Sequence, residues 1–204
     1  MAPRPSTSRP TGTLLDRVRD LAALVTTPLL PQDYLDRLAP LSAASSLRGR
    51  IVAVLPETRD AVTVVIRPGD GWAGHRPGQY VRVGVEVDGV RQWRTYSLTW
   101  PADRADGCIA ITVTAVTDGV VSNHLVRRAR VGTLVHLDQA AGDFVLPPVA
   151  PAKALFVTAG SGITPVMGML RASLDQLDDV VVVHSARTAA DVVFGGELRM
   201  LEGL

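Results

Sequence analysis

Short runs of apolar and β-branched residues, separated by turn-forming residues, fill the chain from about residue 48 to 147. The connecting stretches are rich in Gly, Pro and Asp, as in RPGDGWAGHRPG and PADRADG. Closely spaced short strands with turn signals between them are typical of all-β barrels. The pattern therefore predicts an antiparallel six-stranded barrel, interrupted by one helix at about 121–130. The predicted strands span residues 50–55, 61–66, 79–87, 91–98, 109–116 and 133–138.

The pattern changes after the barrel. ALFVTA (154–159) and the four valines of DVVVVH (179–184) are continuous apolar runs rather than alternating ones, which is typical of strands in a buried parallel sheet. A helix is predicted after each strand, at 164–177 and near 195–202. The order strand, helix, strand, helix indicates a parallel α/β unit. Because doubly wound nucleotide-binding sheets have about five or six strands, two strands predict an incomplete nucleotide-binding domain.

The region before the barrel is predicted to hold a disordered, Pro-rich leader (1–13) and short helical pieces (14–47). The periodicity of LLDRVRDLAALV places a row of apolar side chains on one helix face. A helix packed on the main body explains this row, and a docking helix for a partner or a membrane surface is the alternative. The row consists of Leu14, Val18, Leu21 and Val25. The predicted division is a leader with a helical extension (1–47), a barrel domain (48–147) and a partial α/β domain (151–204).

Composition and charge exclude several classes of protein. With 47% hydrophobic residues the chain is not disordered as a whole, and a net charge of +1 gives no support for nucleic-acid binding. The single cysteine, Cys108, excludes an internal disulfide and a four-cysteine zinc or iron–sulfur site within these 204 residues. The four histidines lack metal-ligand spacing, so no metal site is predicted. No apolar run reaches the roughly 20 residues of a spanning helix, so we expect a cytoplasmic protein, with peripheral membrane association through a partner left open.

The segment RTYSLT (94–99), at the end of a predicted strand, combines three chemical groups suited to a flat anionic ligand. The guanidinium of Arg94 can bind a phosphate bidentately. The ring of Tyr96 can stack on a planar heterocycle, and the hydroxyl of Ser97 can bond to a ring nitrogen or carbonyl. From the residues alone, an ordinary strand with a surface arginine explains the segment equally well.

Four segments, taken in order, resemble motifs of the ferredoxin–NADP reductase family. RTYSLT resembles its R-x-Y-[ST] flavin motif, and HRPGQYV (75–81) is similar to the Pro-Gly-Gln-aromatic segment before it. GVVSNHL (119–125) resembles the second motif, G-x-x-S, at a helix start. TAGSGITPVMGML (158–170) resembles the nicotinamide-nucleotide motif, G-x-G-x-x-P. In addition, TPLLPQDYLDRLAPL (27–41) resembles the leader of reductases that supply membrane-bound acyl-lipid desaturases.

The resemblance implies a flavin site on two of these segments. Arg94 is expected to bind the flavin phosphate, Tyr96 to stack on the isoalloxazine ring, and Ser97 to hydrogen-bond near N5. A helix N-terminus also favours anions, which supports the flavin pyrophosphate at the second motif, although N-capping alone explains Ser122. The cofactor-binding residues implied by these two segments are Arg94, Tyr96, Ser97, Leu98, Thr99, Gly119, Val121 and Ser122.

The resemblance also implies a nucleotide site. Thr164 is expected near the nicotinamide, and it is predicted to cap the helix that Pro165 begins. Ser185 and Arg187 follow the second apolar strand and suit a ribose 2′-phosphate, which favours NADPH over NADH; a solvated loop is the alternative. The nucleotide-binding residues implied are Gly160, Gly162, Thr164, Pro165, Ser185 and Arg187, and the catalytic residues implied are Tyr96, Ser97 and Thr164. FGGEL (194–198) is similar to the family's Phe-x-x-Glu-Leu helix start and is interpreted as structural.

The function implied by the resemblance is an NAD(P)H-dependent flavin oxidoreductase. It would use FAD, with FMN as the alternative, take hydride from NADPH or NADH, and hold no iron–sulfur cluster in this chain. Electrons would pass to a ferredoxin-like iron–sulfur protein or domain that serves a membrane desaturase or an oxygenase. Two alternatives remain: a truncated flavin-binding fragment without NAD(P)H activity, and a cofactor-free interaction protein that binds a partner through 14–47 and the half-sheet.

Overall fold

The computed structural model describes residue 41, residues 46–149 and residues 151–201. Most of the predicted N-terminal extension (1–47), including the apolar row of 14–25, lies outside the described residues. The strands are β1 Arg48–Thr58, β2 Ala61–Pro68, β3 Tyr80–Val87, β4 Val90–Ser97, β5 Ile109–Thr114, β6 Leu134–Leu137, β7 Lys153–Ala159 and β8 Asp179–Ser185. The helices are α1 Val120–Arg127, α2 Ile163–Ser173 and α3 Gly195–Leu201, with 3-10 turns at Gly160–Gly162, Leu174–Gln176 and Ala189–Asp191.

The first six strands form one antiparallel sheet in the order β4-β3-β6-β1-β2-β5. The sheet closes on itself just beyond β4, where Leu98 bridges to Ile111 and the Thr99 amide donates to the Ala110 carbonyl at 2.9 Å. Irregular register in β1 supplies the local bends that a small closed sheet needs. The predicted six-stranded antiparallel barrel is therefore confirmed.

β-branched residues fill the barrel because alternate side chains of each strand point to its interior. The largest of these side chains are fully buried, and α1 adds Val121 and Leu125 to the same core. α1 thereby fixes the loop that precedes it against the barrel. The strand residues at the centre of this core include Ile51, Val64, Ile66, Val81, Val83, Ile111 and Val135.

β7 and β8 form a parallel pair that runs in register from Lys153 opposite Asp179 to Ala159 opposite Ser185. The Lys153 ammonium forms an ion pair with the Asp179 carboxylate at 3.3 Å at the start of the pair. Helix α2 connects the two strands and covers one face of them. The predicted parallel α/β unit is confirmed. The core under α2 contains Phe156, Ile163, Val166, Met167, Leu170, Val193 and Phe194.

The other face of the β7–β8 pair is apolar and exposed in the described part of the chain. The strands read as continuously apolar, which predicted burial on both faces, yet only the face under α2 is covered. The uncovered side chains are Leu155, Val157, Val181 and Val183, with exposures from 51% to 71%. We call these four residues the open sheet face.

Helix α2 also lies directly against the barrel. A Cβ built on Gly168 would stand 2.4 Å from the carbonyl oxygen of Leu98, so the helix backbone approaches the end of β4 as closely as glycine allows. Arg171, one turn further on, donates to the Thr99 carbonyl at 2.7 Å. These contacts place the second half of α2 beside the residues that follow β4. Within the described residues, no helix is long and apolar enough to cross a membrane.

Candidate functional site

A cavity of about 440 Å³ opens where the end of β4, β5, the start of α1 and the start of α2 meet. It brings together most of the residues predicted to bind a cofactor, although they come from three separate segments of the sequence. The predicted residues that line it are Arg94, Tyr96, Ser97, Gly119, Val121, Ser122, Gly162, Thr164 and Pro165. The other lining residues are Thr95, Thr112, Thr114, Val116 and Ser161.

β4 contributes a cation and an aromatic ring. The Arg94 side chain is exposed, and one of its guanidinium nitrogens donates to the Trp93 carbonyl at 2.7 Å. Tyr96 is half-buried against the barrel core. Burial raises the pKa of Tyr96 to about 12, and the nearby positive charge of Arg94 opposes part of that rise. The phenol is therefore neutral at physiological pH and presents an uncharged ring beside a guanidinium.

α1 begins at Val120, with Gly119 as its N-cap in an extended conformation. Ser122 is the third helical residue, so the alternative explanation, that it serves only as the N-cap, is wrong. Its hydroxyl instead donates to the Gly119 carbonyl at 3.2 Å and accepts from the Val116 amide at 3.4 Å. The Asn123 side-chain amide donates to the same Gly119 carbonyl and to the Val116 carbonyl, each at 2.8 Å. These bonds brace the loop, while the first amides of the helix have no intrahelical acceptor.

α2 follows a 3-10 turn whose first residue, Gly160, has a φ of +52°, a region that glycine adopts without strain. The helix starts at Ile163 with Gly162 as its N-cap, so the predicted cap role of Thr164 is also wrong. The Thr164 hydroxyl donates back to the Ser161 carbonyl at 2.9 Å. Pro165 lies in the first turn as predicted, where its missing N–H costs no intrahelical bond.

Gly162 has no evident need to be glycine for the sake of the protein's own packing. Its φ of −61° is accessible to any residue, and the nearest atom to an added Cβ is the Thr158 Cβ at 3.9 Å. Gly162 lines the cavity, so the absent side chain keeps the wall open there. A bound group that approaches the backbone explains the glycine.

The electrostatics of the cavity favour an anion. Of the described residues that line it, Arg94 is charged and none is acidic. The N-termini of two helices face it, and helix N-termini carry partial positive charge and free N–H donors. Hydroxyls of Ser97 and Thr95 provide neutral donors and acceptors on β4. This set of groups fits a flat heterocycle that carries phosphate, such as a flavin nucleotide.

Five of the predicted residues do not line the cavity. Leu98 and Thr99 are fully buried where the barrel closes, and Gly160 is an exposed residue of the turn before α2. Ser185 and Arg187 are exposed at and beyond the end of β8, and the Arg187 guanidinium lies 3.9 Å from the Asp191 carboxylate. Their cofactor roles stay predictions.

Sequence reasoning missed the threonines of β5. Thr112 and Thr114 alternate with the apolar residues of IAITVT and so share one face of the strand, a signal that the sequence carried. Thr112 is buried and shares a hydrogen bond of 2.7 Å with the Thr63 hydroxyl on β2. Thr95 and Ser161 lie within the segments RTYSLT and TAGSGITPVMGML but were not assigned a role, and Val116 was missed because only the fold brings it to the cavity.

Comparison with known families agrees with the geometry. Residues 67–146 match the family model of the oxidoreductase FAD-binding domain, and residues 156–203 match that of the oxidoreductase NAD-binding domain. The cofactor prediction of FAD and a nicotinamide nucleotide is thus confirmed at the level of domain type. The predicted domain boundaries stay predictions.

Relatives and solved structures point to the same family. An NADPH oxidoreductase of Mycobacterium tuberculosis is 49% identical over 207 positions, which cover 96% of this chain and 54% of the relative. The ferredoxin reductase component of a 3-ketosteroid-9-alpha-monooxygenase of Mycobacterium tuberculosis is 32% identical, covering 74% of this chain and 45% of the relative. The chain spans about half the length of these two curated relatives.

The fold is also that of a solved flavoprotein domain. The FAD/NAD-binding domain of a nitric oxide dioxygenase from Vibrio cholerae aligns with a TM-score of 0.69 at 26% identity, covering 76% of this chain and 69% of that one. Both domain matches agree with the structure. It has a barrel, a parallel pair of strands joined by α2, and a cavity suited to an anion where these parts meet. The chain therefore belongs to the ferredoxin–NADP reductase family of flavin- and nicotinamide-dependent oxidoreductases.

Proposed function

We propose that this chain binds FAD in the cavity, accepts hydride from NADPH, and passes electrons to an iron–sulfur protein or domain that serves an oxygenase. The observation that carries this proposal is the convergence of Arg94, Tyr96 and the starts of two helices on a single cavity. When bound, FAD would supply the redox chemistry, taking two electrons as hydride from the nicotinamide and giving them up one at a time to one-electron acceptors. The protein binds and orients the reactants.

Arg94 and the start of α1 hold the phosphates in this proposal. The Arg94 guanidinium is exposed at the cavity rim and carries a permanent charge. The first helical amide to find an acceptor is that of Asn123, which donates to the Gly119 carbonyl at 3.0 Å. The preceding amides, of Val120, Val121 and Ser122, are therefore available to phosphate oxygens. The braced loop before α1 keeps these amides in place without further reorganisation on binding.

Tyr96 and Ser97 orient the flavin ring. A neutral, half-buried phenol offers a stacking face without a charge that would repel the electron-rich reduced ring. The Ser97 hydroxyl is available to a ring nitrogen. On the opposite wall, Gly162 leaves room for the nicotinamide, and Thr164 lies beside it on α2.

NADPH is the favoured donor because Ser185 and Arg187 lie at the carboxyl end of β8, where ligands bind in open α/β sheets. The name of the NADPH oxidoreductase relative is consistent with this choice. An oxygenase as the final acceptor is supported by the monooxygenase reductase component among the relatives. A desaturase is the second acceptor class, and its support is the resemblance of residues 27–41.

The proposal is tested by the absorption spectrum of the full chain reconstituted with FAD, recorded before and after anaerobic addition of NADPH. We expect a bound-flavin spectrum that bleaches with NADPH faster than with NADH. Bleaching with dithionite alone would support the alternative of a flavin module without NAD(P)H activity. Folded protein, verified by circular dichroism, that retains no flavin would contradict the flavin site itself.

Arg94→Ala tests the phosphate contact. Hydrogen bonds to charged groups contribute about 1.5–3 kcal/mol, so FAD affinity should fall by about tenfold or more. The matched control is Arg91→Ala, an exposed arginine of the same strand whose nearest carboxylate is that of Glu86 at 3.9 Å. Equal FAD affinity in both variants would remove Arg94 from the site.

A further inference from the structure

The side chain of Arg171 is the most heavily bonded charged group of the α/β part. It lies in the last turn of α2 and its side chain is 17% exposed. Two of its nitrogens bind the Glu197 carboxylate of α3 at 2.8 and 2.5 Å, and the third donates to the Thr99 carbonyl at 2.7 Å. Its guanidinium carbon also lies 4.6 Å from the centre of the Phe194 ring. Phe194 and Glu197 therefore hold the guanidinium in one orientation.

The Thr99 carbonyl is a significant acceptor because of its place in the barrel. Thr99 lies two residues beyond the end of β4. Its amide donates to the Ala110 carbonyl, which is one of the bonds that close the barrel. The bond from Arg171 therefore ties α2 to the carboxyl end of the strand that carries Tyr96 and Ser97. The close approach of Gly168 to Leu98 gives the same helix a second contact one turn earlier.

The opposite end of α2 contributes Gly162 and Thr164 to the cavity. An α-helix rises about 1.5 Å per residue, so Thr164 lies roughly 10 Å along the axis from Arg171. Because an α-helix of this length is stiff, a tilt or slide at Arg171 is transmitted to the cavity wall. A misplacement of about 1 Å between reacting groups can cost on the order of a hundredfold in rate.

We propose that Arg171 is a positioning residue for hydride transfer, which fixes Gly162 and Thr164 opposite Tyr96 and Ser97 by bonding α2 to the Thr99 carbonyl. The inference rests on the proposed function for its catalytic consequence. The Arg171 side chain does not touch either reactant. Loss of its bonds to Glu197 and Thr99 should therefore slow hydride transfer more than it weakens FAD binding or the folding of the barrel.

The test compares Arg171→Met with Arg171→Lys in the full chain loaded with FAD. The limiting rate of flavin bleaching at saturating NADPH should fall by about tenfold or more in Arg171→Met, with the dissociation constant of FAD changed less than about threefold. Lysine keeps one donor for the Thr99 carbonyl and loses the bidentate fork, so it should restore part of the rate. The matched control, Arg199→Met, removes an exposed arginine of α3 and should leave the rate unchanged.

Hydrogen exchange of the FAD-free protein gives a readout that does not depend on activity. Arg171→Met should speed exchange of the amides at 160–165 and leave those of β6 unchanged, because β6 lies between β3 and β1, on the side of the closed sheet opposite the β4–β5 contact where Thr99 bonds. Faster exchange throughout the protein would mean that Arg171 only stabilises the fold in general and would overturn the inference. A flavin-bleaching rate that falls only in proportion to the FAD lost would overturn it as well.

Two outcomes separate this inference from the proposed function. If NADPH fails to bleach the flavin of the unaltered protein, the proposed function fails, whereas the exchange of 160–165 still decides whether Arg171 fixes α2. If Arg171→Met does not fold, Glu197→Gln replaces it: the guanidinium loses the carboxylate that orients it toward the Thr99 carbonyl. A bleaching rate equal to that of the unaltered protein would then contradict the inference.

Discussion

Gly162, the N-cap of α2, and Gly168, in the middle of that helix, are glycine for different reasons. An alanine Cβ at Gly168 would meet the Leu98 carbonyl oxygen at 2.4 Å, a clash with backbone that cannot move away cheaply. At Gly162 the same Cβ has no protein atom nearer than 3.9 Å. Gly168 therefore serves the packing between the two parts of the fold, whereas Gly162 leaves space at the cavity wall.

Alanine substitution should separate these two roles. Gly168→Ala should lower the free energy of unfolding by about 1–3 kcal/mol because overpacking displaces the helix from the barrel. Gly162→Ala should leave that free energy equal or raise it by about 0.4–1 kcal/mol, since alanine restricts the unfolded chain, while weakening NADPH or FAD binding. Urea denaturation and ligand titration of both variants give the two quantities, and a Gly162→Ala protein with full affinity would contradict the role in binding.

The pKa of Tyr96 predicts a pH dependence of stability. The pKa is raised to about 12 in the folded protein from an ordinary value of 10.0, so the folded state holds this proton more tightly than the unfolded state. The resulting contribution is present below pH 10 and is lost as the pH rises from about 10 to 12. Denaturation at several alkaline pH values should show this decline, and Tyr96→Phe should remove part of it. An equal decline in both proteins would assign it to other groups.

At the scale of the elements, the alternation and turn signals located every barrel strand to within a few residues. β1 was predicted at 50–55 and extends over Arg48–Thr58, because its irregular register lets the strand continue through a bend that a local pattern does not reveal. Helix starts were less accurate. Ser122 and Thr164 have favourable capping side chains, yet glycines cap both helices, since the hydroxyls bond to nearby carbonyls instead.

β2 and β5 are joined on the outer face of the barrel by a buried polar contact that is open to a direct test. The Thr63 hydroxyl donates to the Glu57 carboxylate at 2.6 Å and shares a 2.7 Å bond with the Thr112 hydroxyl. Thr63→Val leaves Thr112 buried without this partner and should cost about 1–3 kcal/mol. Combining Thr63→Val with Thr112→Val should cost less than the sum of the two single changes, as measured in a double-mutant cycle. Additive losses would mean that the pair does not interact in solution.

At the scale of the whole molecule, the sequence predicted a barrel followed by a parallel α/β unit, and both are present. Short strands separated by turn signals predicted the barrel, and apolar strands alternating with helices predicted the α/β unit. The order of the motifs along the chain agreed with this division. The close contact between the two parts was not predictable. It depends on Gly168 and Arg171, which are ordinary helical residues until the fold brings them to Leu98 and Thr99.

The open sheet face should determine how strongly the full chain binds apolar dyes and associates with itself. Register places Leu155 beside Val181 and Val157 beside Val183, so the four side chains form one continuous patch. Such patches bind environment-sensitive dyes and promote self-association. Replacing Val157 and Val181 with threonine should reduce dye fluorescence and light scattering with less than about 0.5 kcal/mol change in stability. Unchanged fluorescence would place the dye-binding surface elsewhere.

The ion pair that begins the parallel sheet involves the only lysine among the 204 residues. The Lys153 side chain is 82% exposed, but the peptide bond that follows it lies within β7 and is paired with β8. A lysine-specific endoprotease therefore has one place to cut, and it can cut only when this strand detaches from its neighbour. The rate of that single cleavage reports how often the α/β part opens while the barrel stays folded. The two products, residues 1–153 and 154–204, separate the barrel from most of the α/β part.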